Sequence, residues 1–123
     1  MRAGVWTTAL LLALGVSPAL AQDRAGDWRR CEGVDGSSLQ DSIESCTRLI
    51  ESRRENEQAL AIVFYNRGVA HHWSGDDDKA IADLSETIRI NPWFADAWRW
   101  RGQALAKVSS RRITSAKSSI AGS

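Results

Sequence analysis

Residues 61–94, AIVFYNRGVAHHWSGDDDKAIADLSETIRINPWF, read as one helix–turn–helix unit. On its first half the apolar residues Ile62, Val63, Phe64, Val69, Ala70 and Trp73 nearly surround the axis, the pattern of a helix packed on both sides. Gly75 supplies the turn. Asp76, Asp77 or Asp78 then caps the second helix and faces its positive end. Ala80, Ile81, Leu84, Ile88 and Ile90 recur along that second helix, and Pro92 after Asn91 stops it. The opening of the unit then returns. Residues 95–107, ADAWRWRGQALAK, place Trp98, Arg101, Gly102 and Ala104 each 34 residues after Phe64, Arg67, Gly68 and Ala70.

This period and these residues resemble the tetratricopeptide repeat family, whose pattern is Trp-x-x-Leu-Gly-x-x-Tyr, then Ala, a large apolar residue and Pro. The matching positions are Phe64, Arg67, Gly68, His71, Ala80, Leu84 and Pro92, followed by Trp98, Arg101, Gly102 and Leu105 in the second copy. Arg67 and Arg101 stand where the family has Leu, and His71 where it has Tyr. The resemblance implies an all-α repeat array, here about one full repeat flanked by two partial ones. Gly68 and Ala80 are the small residues that let the paired helices approach.

A leading partial repeat precedes the full one. Ser37 or Ser38 can cap a helix running to about Arg54, with Leu39, Ile43, Cys46, Leu49 and Ile50 at helical spacing. Aligning Ser42-Ile43 with Ala80-Ile81 sets Cys46 on Leu84 and Ile50 on Ile88. That interval is 38 residues, so about four extra residues enter the connection. Ahead of it, Trp28 to Cys31 suits about one turn of helix, and Gly33 to Ser38 reads as a loop. The expected divisions are a leading unit over 22–58, a full repeat over 59–94, a lone first helix over 95–107 and a poorly ordered tail over 108–123. The tail, VSSRRITSAKSSIAGS, has no turn-type Gly after Lys107 and no Pro stop, so no packed second helix of the family type is expected, although Ile113 and Ile120, seven apart, could form the stripe of a short frayed helix. The Trp98/Leu105 face would then be left to be covered by the tail, by a second copy or by another partner.

Residues 1–21 read as a secretory signal peptide: Arg2, an apolar stretch from Val5 to Val16, and Ala19-Leu20-Ala21 as the small-residue cleavage site. The alternative is a membrane anchor, for which the stretch falls short of the roughly 20 residues a span needs. Cleavage leaves a chain of 102 residues with 15 basic and 15 acidic side chains. A net charge of zero argues against nucleic acid or a membrane surface as a partner held by charge. It also leaves copies of the protein without strong mutual repulsion. A periplasmic or secreted location follows, with no membrane span after cleavage.

Export implies an oxidising compartment, so a Cys31–Cys46 disulfide is the expected state, with buried thiols or a redox pair as the alternatives. Many exported bacterial proteins of the resembled family carry such a pair ahead of an Asn-Arg-Gly repeat. Arg67, at a normally apolar position, is expected to pair with Asp83 at the helix interface, with an arginine in the binding groove as the alternative. His71-His72 beside Asp76–Asp78 raises a metal reading, but adjacent histidines point about 100° apart on a helix. We expect no metal or other cofactor. No nucleophile elbow or phosphate loop is present, so no enzyme is expected.

In the resembled family the first helices of successive repeats line a concave groove that takes peptides. Mapped by position, the groove would be lined by Ile62, Tyr65, Asn66, Val69, His72 and Trp73, then Asp96, Arg99, Trp100, Gln103 and Lys107. Aromatic and Arg residues are the usual interface anchors. The expected function is therefore a protein–protein interaction module, with an envelope subunit that self-associates through the open C-terminal edge as the alternative.

Overall fold

The computed structural model of the protein describes residues 18–122. The apolar centre of the expected signal peptide, residues 5–16, lies outside them. The described residues form an all-α chain: α1 (Pro18–Glu32), α2 (Leu39–Ser52), α3 (Glu57–Trp73), α4 (Asp77–Ile90) and α5 (Ala95–Ala121). Among them no helix is long and apolar enough to cross a membrane.

Each helix packs on the next, and α1–α3 and α3–α5 also touch. The cross-links show that α1–α2, α3–α4 and α4–α5 run antiparallel. Between α3 and α4, His72 meets Asp77 beside the turn, Gly68 faces Ala80 and Leu84, and the Thr87 hydroxyl donates to the Ala61 carbonyl at 3.0 Å. Between α1 and α2, Cys31 is disulfide-bonded to Cys46, and Arg48 reaches back to Asp27. Between α4 and α5, Arg101 donates to the Ser85 hydroxyl and Arg111 pairs with Asp77.

Local chemistry sets the helix ends. Ser38 and Asp41 form a reciprocal capping box at the start of α2. Asn56 caps α3, its Oδ1 accepting the Ala59 N–H at 2.8 Å, and Asp76 caps α4. After α3, the Asp76 N–H reaches the His71 carbonyl and the Gly75 N–H the His72 carbonyl, with Gly75 at φ 88°. This left-handed residue closes the helix by a double backbone bond, and Gly33 closes α1 in the same way.

The structure corrects two sequence expectations. The segment around Trp28 is a 15-residue helix rather than a single turn. Its weak helical pattern is overridden by tertiary anchors. Arg24 grips Glu55 through two bonds of 2.8 and 2.9 Å, the Trp28 indole N–H donates to the same carboxylate, and Cys31 is bonded to α2. At the other end, the helix begun at Ala95 does not stop at Lys107 and give way to a poorly ordered tail. It continues unbroken to Ala121. Residues 108–121 contain no Gly, Pro, Asn or Asp to end it, and Arg111 ties it to the first turn of α4. Residues 109–122 are exposed throughout.

The core has two apolar clusters. Cys31, Cys46, Leu49 and Val63 join α1–α2 to α3. Ala80, Leu84, Ile88, Ala97 and Ala104 join α4 to α5, with Tyr65 and Phe94 packed against them at 4.7 Å between ring centroids. Where α3 brings a glycine up to Leu84, α1 brings Cys31 up to Cys46, the residue that aligns with Leu84.

Candidate functional site, the surface of α3 beside α1 and α5

Helix α3 presents Tyr65, Asn66, Val69 and Trp73 toward the C-terminal end of α1 and the loop that follows it. There a cavity of about 260 Å³ lies between these side chains and Glu32, Ser37 and Leu39. Cys31 forms part of its wall, and the disulfide to Cys46 fixes the end of α1 that carries it. Trp73 also reaches α5, meeting Trp100 edge-on at 5.7 Å between centroids. Arg99 lies over the face of Trp100 at 4.9 Å and pairs with Asp96 at 3.1 Å. Both partners of that pair are exposed, so water screens it and Arg99 keeps its capacity for a ligand. Gln103 and Lys107 stand exposed farther along α5.

His72 is placed differently from the expectation. It is 4% exposed and lies beneath the two tryptophans, 5.9 Å from Trp73 and 5.4 Å from Trp100 between centroids. Its Nδ1 sits 2.6 Å from Asp77 Oδ1, and the other Asp77 oxygen receives Arg111. Burial first, and the positive Lys107 second, push the His72 pKa below its ordinary value. The Asp77 carboxylate pulls the other way, with its charge shared by Arg111. His72 is therefore packed beneath the two tryptophans rather than open on the surface. Sequence reasoning missed Asp77 and Arg111. The Asp76–Asp78 run suggested only a solvated cap, yet Asp77 is 1% exposed.

On the opposite side of α3, Arg67 holds Asp83 through two bonds of 2.8 Å each and donates to the Thr47 hydroxyl on α2 at 3.1 Å. This fork-to-fork pair locks three helices together. His71 packs beside it, 3.8 Å from Asp83. Burial lowers the His71 pKa, opposed by Asp83 and reinforced by Arg67. The two histidines thus face different carboxylates on different sides of α3 and share no site. A third buried ionic cluster joins α1 to α2. There burial opposes the Asp27 carboxylate, but hydrogen bonds from Arg48 and Arg30 outweigh it and hold the group below the usual carboxylate range.

No protein-family model, no curated protein and no solved structure matches this chain. What the chain itself defines is an all-helical, disulfide-bonded protein with an aromatic and cationic surface along one side.

Proposed function

We propose that the protein is a short tetratricopeptide-type array, exported to the periplasm or beyond, that binds an extended segment of another protein in the groove of α1, α3 and α5. The 34-residue period and the antiparallel succession of helices support the repeat reading. The disulfide supports an oxidising compartment. The observation that carries the binding role is the Trp73–Trp100 pair with Arg99 stacked on it. Trp73 is exposed, and a half-open aromatic and arginine cluster is the usual composition of an interface anchor. The groove has room for a backbone beside Tyr65 and Asn66, while Arg99 and Lys107 suit a carboxylate on the bound segment.

The test compares wild-type protein with Arg99→Ala and Trp73→Ala variants as baits in a periplasmic extract. A partner retained by the wild type and lost with both variants, at unchanged helical content, supports the groove. A partner held equally by all three proteins refutes it.

A further inference from the structure

The protein itself shows how the outer face of α5 can be covered. Trp98, Arg101, Gly102 and Leu105 stand 34 residues after Phe64, Arg67, Gly68 and His71. On α3 that face is closed by α4. A Cβ placed on Gly68 would lie 2.9 Å from Leu84 Cγ, 3.2 Å from Asp83 Cβ and 3.3 Å from the Ala80 carbonyl oxygen. On α5 the same face is open. A Cβ on Gly102 meets nothing within 4 Å, and Trp98 and Leu105 are 48% and 45% exposed.

The two arginines show the same contrast. Arg67 lies over the Phe64 ring at 5.7 Å, and Arg101 lies over the Trp98 ring at 4.6 Å. Arg67 then closes on the Asp83 carboxylate, whereas Arg101 donates to the Ser85 hydroxyl at 3.3 Å. The stacked guanidinium is in place on α5, but the carboxylate that answers it on α3 has no counterpart there among the described residues.

We propose that this face of α5 binds an amphipathic helix of another polypeptide, antiparallel to α5. That helix presents a small residue against Gly102, a carboxylate three positions later against Arg101, and a large apolar residue next to the carboxylate. These are the features that Ala80, Asp83 and Leu84 present to α3. Charge selects an acidic helix over a second α5. Residues 95–123 carry six basic side chains and one acid, a net +5 in a chain of net +1. A second α5 has no carboxylate to offer Arg101, since its one acid, Asp96, pairs with Arg99 on the groove side. Nor is α4 of a second copy free to serve, since it is committed between its own α3 and α5. This face and the peptide groove lie on different sides of α5, so each can fail without the other.

The probe is a synthetic peptide of residues 74–92, side-chain stapled between positions 82 and 86 to hold it helical, titrated into the full-length protein. The expected result is saturable binding that Asp83→Asn in the peptide weakens by about tenfold or more. Gly102→Leu in the protein should abolish binding while leaving its circular dichroism native, because the added side chain points into open space. Arg101→Glu should reject the native peptide and accept a peptide carrying Asp83→Arg. Absence of saturable binding, or binding indifferent to Gly102→Leu, overturns the proposal. So does a full-length dimer in sedimentation that Leu105→Glu dissociates, which would place a second copy on this face.

Discussion

Helices α3 and α5 begin as copies of one sequence, yet only one of them is enclosed. Their inner sides match: Val63 packs on the α1–α2 pair, and its counterpart Ala97 packs on α4, with Ala70 and Ala104 buried likewise. Their outer sides differ. Gly68 is pressed against α4, while Gly102 faces open space. A repeat helix thus has two contact faces of separate origin. One is satisfied by the chain before it and the other by the chain after it, and the sequence of the helix does not say whether the second will be met.

The sharpest way to break this comparison is to remove the paired arginines. Arg67→Ala strands the Asp83 carboxylate in a buried interface and should cost about 3 kcal/mol or more. Arg101→Ala leaves no carboxylate behind and should cost under about 1 kcal/mol. Denaturant midpoints of the two variants measure the gap. Equal costs would mean that enclosure by α4 is not what separates the two copies.

A slightly smaller effect concerns the α1–α2 pair, which is held by a covalent bond where α3–α4 is held by close packing. Cys31 and Cys46 span a separation of 15 residues, and closing such a loop should contribute about 3 kcal/mol. Reductant should lower the unfolding midpoint of the wild type and leave that of a Cys31→Ala/Cys46→Ala variant unmoved. A midpoint insensitive to reductant would show that Arg24, Asp27 and Trp28 suffice to dock α1.

The glycines give the smallest of the stability effects, and the one in which sign matters more than size. Alanine at Gly68 forces Leu84 and Asp83 to shift, at a cost of roughly 1–3 kcal/mol set against a gain in helix propensity of about 1 kcal/mol. Alanine at Gly102 meets no neighbour and should stabilise by up to about 1 kcal/mol. Thermal melts of the two variants should move in opposite directions. Destabilisation by Gly102→Ala would show that the outer face of α5 is occupied in solution.

The helices whose partners lie nearby were legible in the sequence. The α3–α4 unit, the turn at Gly75 and a cap from the Asp76–Asp78 run follow from local turn chemistry, and the disulfide from the expected export and the cysteine count; which Asp caps was not legible. The length of α1 was not legible, because its order comes from Glu55, Arg48 and Cys46, residues 15 to 31 positions away. The continuation of α5 was hidden for a similar reason. Its anchor is Arg111 on Asp77, a pairing across 34 residues between a basic tail and a run of acids that resembles an ordinary cap. His72 was assigned to the groove by its position in the repeat, but the buried Asp77 carboxylate, whose other oxygen is held by Arg111, draws the ring inward beneath the tryptophans.

The histidines allow the comparison to be made through pH, because α3 has His71-His72 where α5 has Leu105-Ala106. Burial lowers both histidine pKa values below the ordinary 6.5. The unfolded chain therefore binds protons at a higher pH than the folded protein does. Stability is at its full value above about 6.5 and is lost as the pH falls toward the lowered folded values. For His71 the opposing Asp83 is itself held by Arg67, and for His72 the opposing Asp77 is shared with Arg111, so neither carboxylate is free to reverse the sign. The Asp27 contribution is separate. Its carboxylate is held below 3.8, so that stability persists to lower pH before it too is lost. Denaturant midpoints taken between about pH 7.5 and 5.5 should fall for the wild type. Giving α3 the residues that α5 carries, His71→Leu with His72→Ala, should flatten the slope in that window even though the variant starts less stable. An undiminished slope in the double variant would assign the acid sensitivity to carboxylates and remove the histidines from the account.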